Sequence, residues 1–108
     1  MKQASKANEA VKAYHAEIGW GAREVTVDVE GEVRRLDIAD KATSKGIEYK
    51  TGDIYASQSI LWEVARDEIL VNDMGWKISW VFRDYASKPL IDALKKAKIE
   101  VIVKGVVQ

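Results

Sequence analysis

Apolar residues recur along the chain with two periods, and the switches between them predict its elements. Ala7, Ala10, Val11, Tyr14 and Ile18 fall at helical spacing, which predicts a helix over 4–18 ended by Gly19 and Gly21. Val25, Val27 and Val29 then alternate with Glu24, Thr26, Asp28 and Glu30, the pattern of a half-buried strand. The turn signal Glu30-Gly31 joins it to a second strand through Val33, Leu36 and Ile38, giving a hairpin. After a break at Ser44-Lys45-Gly46, Ile47 to Lys50 reads as a short third strand, stopped at Thr51-Gly52. A long helix follows over about 56–71, with Ile60, Leu61, Val64, Ala65 and Leu70 as its apolar face. Lys77 to Phe82 is a strand, Pro89 opens another helix with Ser87 nearby, and Ile99 to Val107 is a β-branched final strand. The predicted order is α-β-β-β-α-β-α-β, an α/β fold with a central mixed sheet flanked by helices.

Length adds that this is one domain, because 108 residues bury a core without staples. The absence of cysteine excludes a disulfide framework, a thiolate metal site and a cysteine nucleophile. No apolar run is long enough to span a membrane. The stretch Met1 to Lys6 lacks the apolar core of a secretory signal, which predicts a cytoplasmic site of action. Seventeen basic and seventeen acidic residues balance, which argues against a general nucleic-acid coat but not against one local patch. The charge is uneven: residues 24–32 carry Glu24, Asp28, Glu30 and Glu32 with no base, whereas residues 34–50 carry five bases, Arg34 among them, against three acids.

The candidate chemistry sits on the second and third strands. Residues two apart on a strand share a face, so Glu48 and Lys50 point together while Ile47 and Tyr49 point to the core. By the same alternation Leu36 and Ile38 point inward and Asp37 outward. If the strands pair, Asp37, Glu48 and Lys50 converge. Two carboxylates can hold a hard divalent cation such as Mg²⁺, which activates water and stabilises charge on a phosphodiester. Lysine can neutralise phosphoryl oxygens or orient the attacking water. On this reading Glu48 is an exposed carboxylate, and its removal leaves the fold intact.

The segment Arg35-Leu36-Asp37-Ile38, followed by Gly46-Ile47-Glu48-Tyr49-Lys50-Thr51-Gly52, resembles the core motif of the PD-(D/E)XK nuclease superfamily. The order of elements resembles that superfamily's restriction-endonuclease-like core over most of the chain. Leu36 stands where the family's eponymous proline would be. The resemblance implies a metal-dependent endonuclease with Asp37, Glu48, Lys50 and Gln58 as catalytic residues. Gln58 is included because many members carry a glutamine on the helix after the lysine strand, and Trp62 falls where others have an aromatic. It implies Mg²⁺, with Mn²⁺ or Zn²⁺ as alternatives, held by Asp37 and Glu48 with Glu9 or Glu17 from the first helix, Glu9 matching the pattern better.

The second half, from Gly75-Trp76-Lys77 through Val103, is similar to the nuclease toxin domains of bacterial polymorphic and contact-dependent inhibition systems. That similarity implies a domain carried by a larger delivery protein, acting on DNA or tRNA in a target cell's cytoplasm and blocked by a cognate immunity protein. The rival expectations are a housekeeping nuclease of resolvase or repair type, and an inert binding module on the same fold. The remaining residues have plainer expected roles. His15 is a surface or packing histidine, the four tryptophans are mostly core, and Lys95, Lys96 and Lys98 form a wet helix face. Asp67, Glu68, Asp73 and Asp84 are expected to form an acidic surface that solvates the domain or docks a basic partner.

Overall fold

In the computed structural model, which describes residues 6–107, the elements are α1 (Lys6–Ile18), β1 (Ala22–Val29), β2 (Glu32–Asp40), β3 (Lys45–Lys50), β4 (Asp53–Ile54), α2 (Gln58–Asp73), β5 (Lys77–Phe82), β6 (Tyr85–Ala86), α3 (Lys88–Lys96), β7 (Glu100–Val103) and β8 (Val106–Val107). Ala4 and Ser5, predicted to start the first helix, lie outside the described residues. Setting aside the two-residue strands, the order is the predicted one. The central sheet runs β1-β2-β3-β5-β7. Its first three strands are antiparallel neighbours, and β3, β5 and β7 are parallel. A mixed sheet therefore carries the three helices.

Local chemistry explains the main joints. Glu30 and Gly31 both take positive φ (52° and 86°), the two-residue turn that matches strand twist, and Asp28 Oδ1 accepts from the Gly31 amide at 2.8 Å. Ser57 caps α2 by accepting from the Ile60 amide. Pro89 occupies the first turn of α3, where no backbone donor is missed.

Two apolar layers sandwich the sheet. Val11 of α1, with Tyr14 and Ile18, packs on Ile38, Ile47, Tyr49 and Val81. On the other face α2 and α3 bring Val64, Leu70, Leu90 and Leu94 onto Leu36, Ile78, Trp80 and Phe82. Each large apolar side chain so buried stabilises the fold by about 1.5–3 kcal/mol. Gly46 lies inside β3 rather than in the predicted break before it. A Cβ there would stand 2.8 Å from Leu36 Cδ1, so glycine lets that side chain fill the layer.

Several expectations need correction. Leu36 and Ile38 do not share a face; they belong to opposite layers. The alternation slips at Asp37. Across from it, between the pairs Arg23–Ile38 and Val25–Leu36, Glu24 takes φ 55°. Pairing of β2 with β3 begins only at Ile38. The final strand is not continuous over 99–107: it breaks at Lys104-Gly105, where the chain leaves the main sheet so that β8 can pair with β6. A side chain at Gly105 would collide with the Asp84 backbone. β4, β6 and β8 form a small parallel sheet too short for any periodicity to announce. Trp62 is not core but 46% exposed, with the Arg66 guanidinium over its ring, and Leu61 is also exposed. Asp67 is the reverse case: predicted on an acidic surface, it is fully buried.

Candidate active site

Strand alternation in β3 sends Ile47 and Tyr49 to the α1 layer and leaves Glu48 and Lys50 facing α2. Lys50 Nζ lies 3.0 Å from Glu48 Oε2 and 3.0 Å from Glu63 Oε1 of α2. Asp37 reaches the same place from β2, where the ladder has not yet begun. Its Oδ2 accepts the Tyr49 amide at 2.8 Å, so the carboxylate takes a position that a strand carbonyl would otherwise fill. The expected convergence of Asp37, Glu48 and Lys50 is therefore present.

Beneath it lies a buried ion network. Arg34 Nη2 stands 3.4 Å from Glu48 Oε1 and 3.7 Å from Glu63 Oε1. The Arg34 guanidinium also donates two bonds to Asp67, Nε to Oδ1 at 2.8 Å and Nη2 to Oδ2 at 3.1 Å. Trp80 Nε1 donates to the same Asp67 Oδ2 at 2.7 Å. Asp67 is thus held by three donors, which is what a fully buried carboxylate requires.

Electrostatics single out Glu48. Burial, and then the neighbouring Asp37 charge, push its carboxyl well above the ordinary carboxylate range, against the opposing pull of Arg34 and Lys50. Asp37 is also raised, chiefly by burial, although the Tyr49 amide, Lys50 and Arg34 favour its ionised form. Burial disfavours the charges on Arg34 and Lys50, but the surrounding carboxylates outweigh it and raise both. Four carboxyl groups and two fixed cations share this spot, so full ionisation leaves two negative charges in excess. Glu48 Oε1 is buried and makes no hydrogen bond, with the Arg34 guanidinium 3.4 Å away as its ion-pair partner.

A divalent cation fits this donor set. It would satisfy the orphaned Glu48 oxygen and balance the surplus charge, with Asp37 and Glu48 as its ligands. Among the described residues no group of three or more acidic or histidine side chains forms a ready metal cage. A hard ion such as Mg²⁺ is commonly held by only one or two carboxylates and completes its shell with water and phosphate oxygens.

The other expected site residues lie apart. Gln58 is exposed on the first turn of α2. Glu9 and Glu17 are exposed on α1, which covers the opposite face of the sheet. Among the described residues neither Gln58 nor Glu9 makes a hydrogen bond or ion pair to Asp37, Glu48 or Lys50, and Glu17 pairs with Lys104 instead, at 3.8 Å. Glu48 is 6% exposed, so the expectation of an exposed carboxylate is also corrected. His15 ties α1 to the start of β1, its Nε2 donating to the Gly21 carbonyl at 2.8 Å.

Sequence reasoning missed Arg34, Glu63 and Asp67. The signal was there for the last two. Four residues apart, they fall on the α2 stripe that also carries Ile60, Val64 and Leu70, and acids on an inward stripe are the anomaly to notice. Compared with known protein families, with curated proteins and with solved structures, the chain matches none.

Proposed function

We propose that this chain is a metal-dependent nuclease of PD-(D/E)XK type that cleaves phosphodiester bonds of DNA or tRNA. The observation that carries the reading is the meeting of Asp37, Glu48 and Lys50 where β2 and β3 diverge, with one buried Glu48 oxygen on Lys50 and the other making no hydrogen bond. A bound Mg²⁺ would polarise the phosphodiester and lower the pKa of the attacking water. Asp37 and Glu48 would hold the ion. Lys50 stands beside them and would stabilise the charge that develops on the phosphoryl oxygens. Glu63 holds the Lys50 ammonium from the α2 side, and Arg34, fixed by Asp67, holds Glu48 in place.

The toxin setting, with a delivery protein and a cognate immunity protein, belongs to the same proposal and rests on the resemblance of the second half of the chain. An inhibitor would cover the site. The alternative docking face around Asp67 loses its central residue, because Asp67 is fully buried.

The direct test incubates the purified chain with plasmid DNA and total tRNA, with and without Mg²⁺, beside the Glu48→Gln variant. Metal-dependent cutting that the variant lacks supports the proposal. No cutting of either substrate, or equal cutting in EDTA, removes it. Expression in a bacterium without a partner gene tests the toxin setting: growth arrest with degraded nucleic acid, absent with Glu48→Gln, is expected.

A further inference from the structure

The two ends of the central sheet differ in how their cations are used. At the candidate site Arg34 and Lys50 are locked into ion pairs, and nearby Arg83 is paired with Asp84. At the opposite end lie Lys41, in the turn between β2 and β3, Lys45 at the start of β3, Lys77 at the start of β5 and Lys98 just before β7. Among the described residues none of these four lysines has an ion-pair partner; Lys45 has only the Trp20 ring, 4.6 Å from its Nζ.

Two of these placements work against the fold. Lys45 and Lys77 are register partners on adjacent parallel strands, so two like charges stand side by side, and only Asp40, the partner of Lys45 on β2, offsets them. Lys98 takes φ 64° just after α3, a left-handed position where glycine is the usual residue. Its side chain lines, together with Lys77, a cleft of about 330 Å³ whose wall includes Trp76, Ser79 and Glu100. Lys95 and Lys96 in the last turn of α3 favour that helix terminus, and Lys45 faces Asp40 across the β2–β3 ladder, but Lys41, Lys77 and Lys98 have no such local reason.

We infer that this lysine end is a second nucleic-acid contact, an exosite that grips the phosphate backbone of the substrate away from the candidate site. The inference rests on the nucleic-acid part of the function proposed above, but not on cleavage. The cations are all lysines, mobile point charges suited to sequence-independent phosphate contact. They are not the planar arginine forks and exposed aromatics that dominate tight protein interfaces. The distance also fits. Lys45 and Lys50 are five residues apart on one strand, roughly 17 Å at about 3.3 Å per residue, a span that about five stacked nucleotides cover.

Binding is measured without cleavage, by fluorescence anisotropy of labelled single-stranded and duplex oligonucleotides in EDTA over a salt series. The Lys41→Gln/Lys45→Gln/Lys77→Gln/Lys98→Gln protein is compared with wild type and with a control that removes four cations elsewhere, Lys12→Gln/Arg35→Gln/Lys88→Gln/Lys104→Gln. The exosite variant is expected to lose at least about tenfold in affinity at low salt, and its plot of log affinity against log salt is expected to be shallower by about 3. The control should change by less than about threefold. Thermal unfolding guards against misfolding, and the variant should unfold within a few degrees of wild type, as expected for surface substitutions. Unchanged affinity and slope, or an equal loss in the control, overturns the inference. So does poly-L-glutamate of matched charge binding as tightly as nucleic acid, which would assign this end to an acidic protein. Lysine-dependent binding by a chain that cuts nothing would uphold the exosite and remove the nuclease.

Discussion

On the α1 face of the sheet, β3 contributes Ile47 and Tyr49, which meet Ile38, Val81 and Val11 in a layer without buried charge among the described residues. On the α2 face the alternate residues of the same strand, Glu48 and Lys50, meet Arg34 and Glu63, and Arg34 in turn is held by Asp67. The first arrangement is what folding asks for. The second works against it, because each buried ion loses several kcal/mol of hydration that its partners return only with good geometry. Arg34 and Asp67 have that geometry. Glu48 does not: one of its oxygens makes no hydrogen bond, and its carboxyl is pushed toward the neutral form. A group left unsatisfied inside an otherwise well-paired network is where ligand chemistry is to be sought.

The sharpest way to break this contrast is to neutralise one polar residue and read activity and stability together. Glu48→Gln should lower metal-dependent cleavage by about 1000-fold, and Lys50→Ala by about 100-fold or more, through loss of transition-state stabilisation. The unfolding midpoint of metal-free Glu48→Gln should be no lower than that of wild type, because the amide keeps the shape of the neutral carboxyl that burial favours. Equal loss of activity and stability would make Glu48 a structural residue. On the apolar face the effects should invert. Ile47→Ala should lower stability by about 2–4 kcal/mol, leaving turnover of the folded fraction unchanged. Asp67 is on the polar face but belongs to the fold. Asp67→Ala strands the Arg34 guanidinium and should cost about 3–5 kcal/mol by chemical denaturation.

Residue patterning revealed one face better than the other. Apolar alternation in β3 and β1, and helical spacing in α1, rest on local periodicity, so both strands and the helix were legible. The Asp37–Glu48–Lys50 set was legible because two of its members share a strand. Arg34, Glu63 and Asp67 were not read, since their meaning comes from the packing of α2 across β2 and β5, contacts 29 and 33 residues apart in the chain. Asp67 looked like surface because acids usually are, and its partners were invisible in the linear pattern. The slip at Asp37 was likewise hidden, because no composition signal marks the positive φ of Glu24.

A smaller effect should appear with pH in the metal-free chain. Glu48 has a folded pKa of about 8 against an ordinary 4.5. A raised pKa means the protonated group is the favoured folded form. Its stabilisation is fully present below about 4.5 and is lost as pH rises through about 8. The raised Asp37 acts in the same direction. The unfolding midpoint of wild type should therefore fall relative to Glu48→Gln between pH 5 and 8, by on the order of 5 °C. A difference that stays flat across this window would mean that Glu48 is ionised and satisfied throughout.

The smallest expected effects separate the site from its periphery. Family resemblance alone implicates Gln58 and Glu9, and both side chains are exposed. Gln58 starts α2 five residues before Glu63, the α2 residue that contacts Lys50. Glu9 lies on the helix that covers the apolar face, whereas Glu48 and Lys50 point to the other. With no hydrogen bond or ion pair to the site, each should change cleavage by less than about threefold when replaced by alanine, in line with surface substitutions away from packed or paired groups. Glu63→Gln is the informative contrast. It keeps the size of the side chain but removes one of the two charges that hold Lys50, so it should lower turnover by about tenfold while leaving substrate affinity nearly constant. A larger loss in Gln58→Ala than in Glu63→Gln, measured as turnover at saturating substrate, would mean that α2 reorients on binding and that its first turn, not its middle, completes the site.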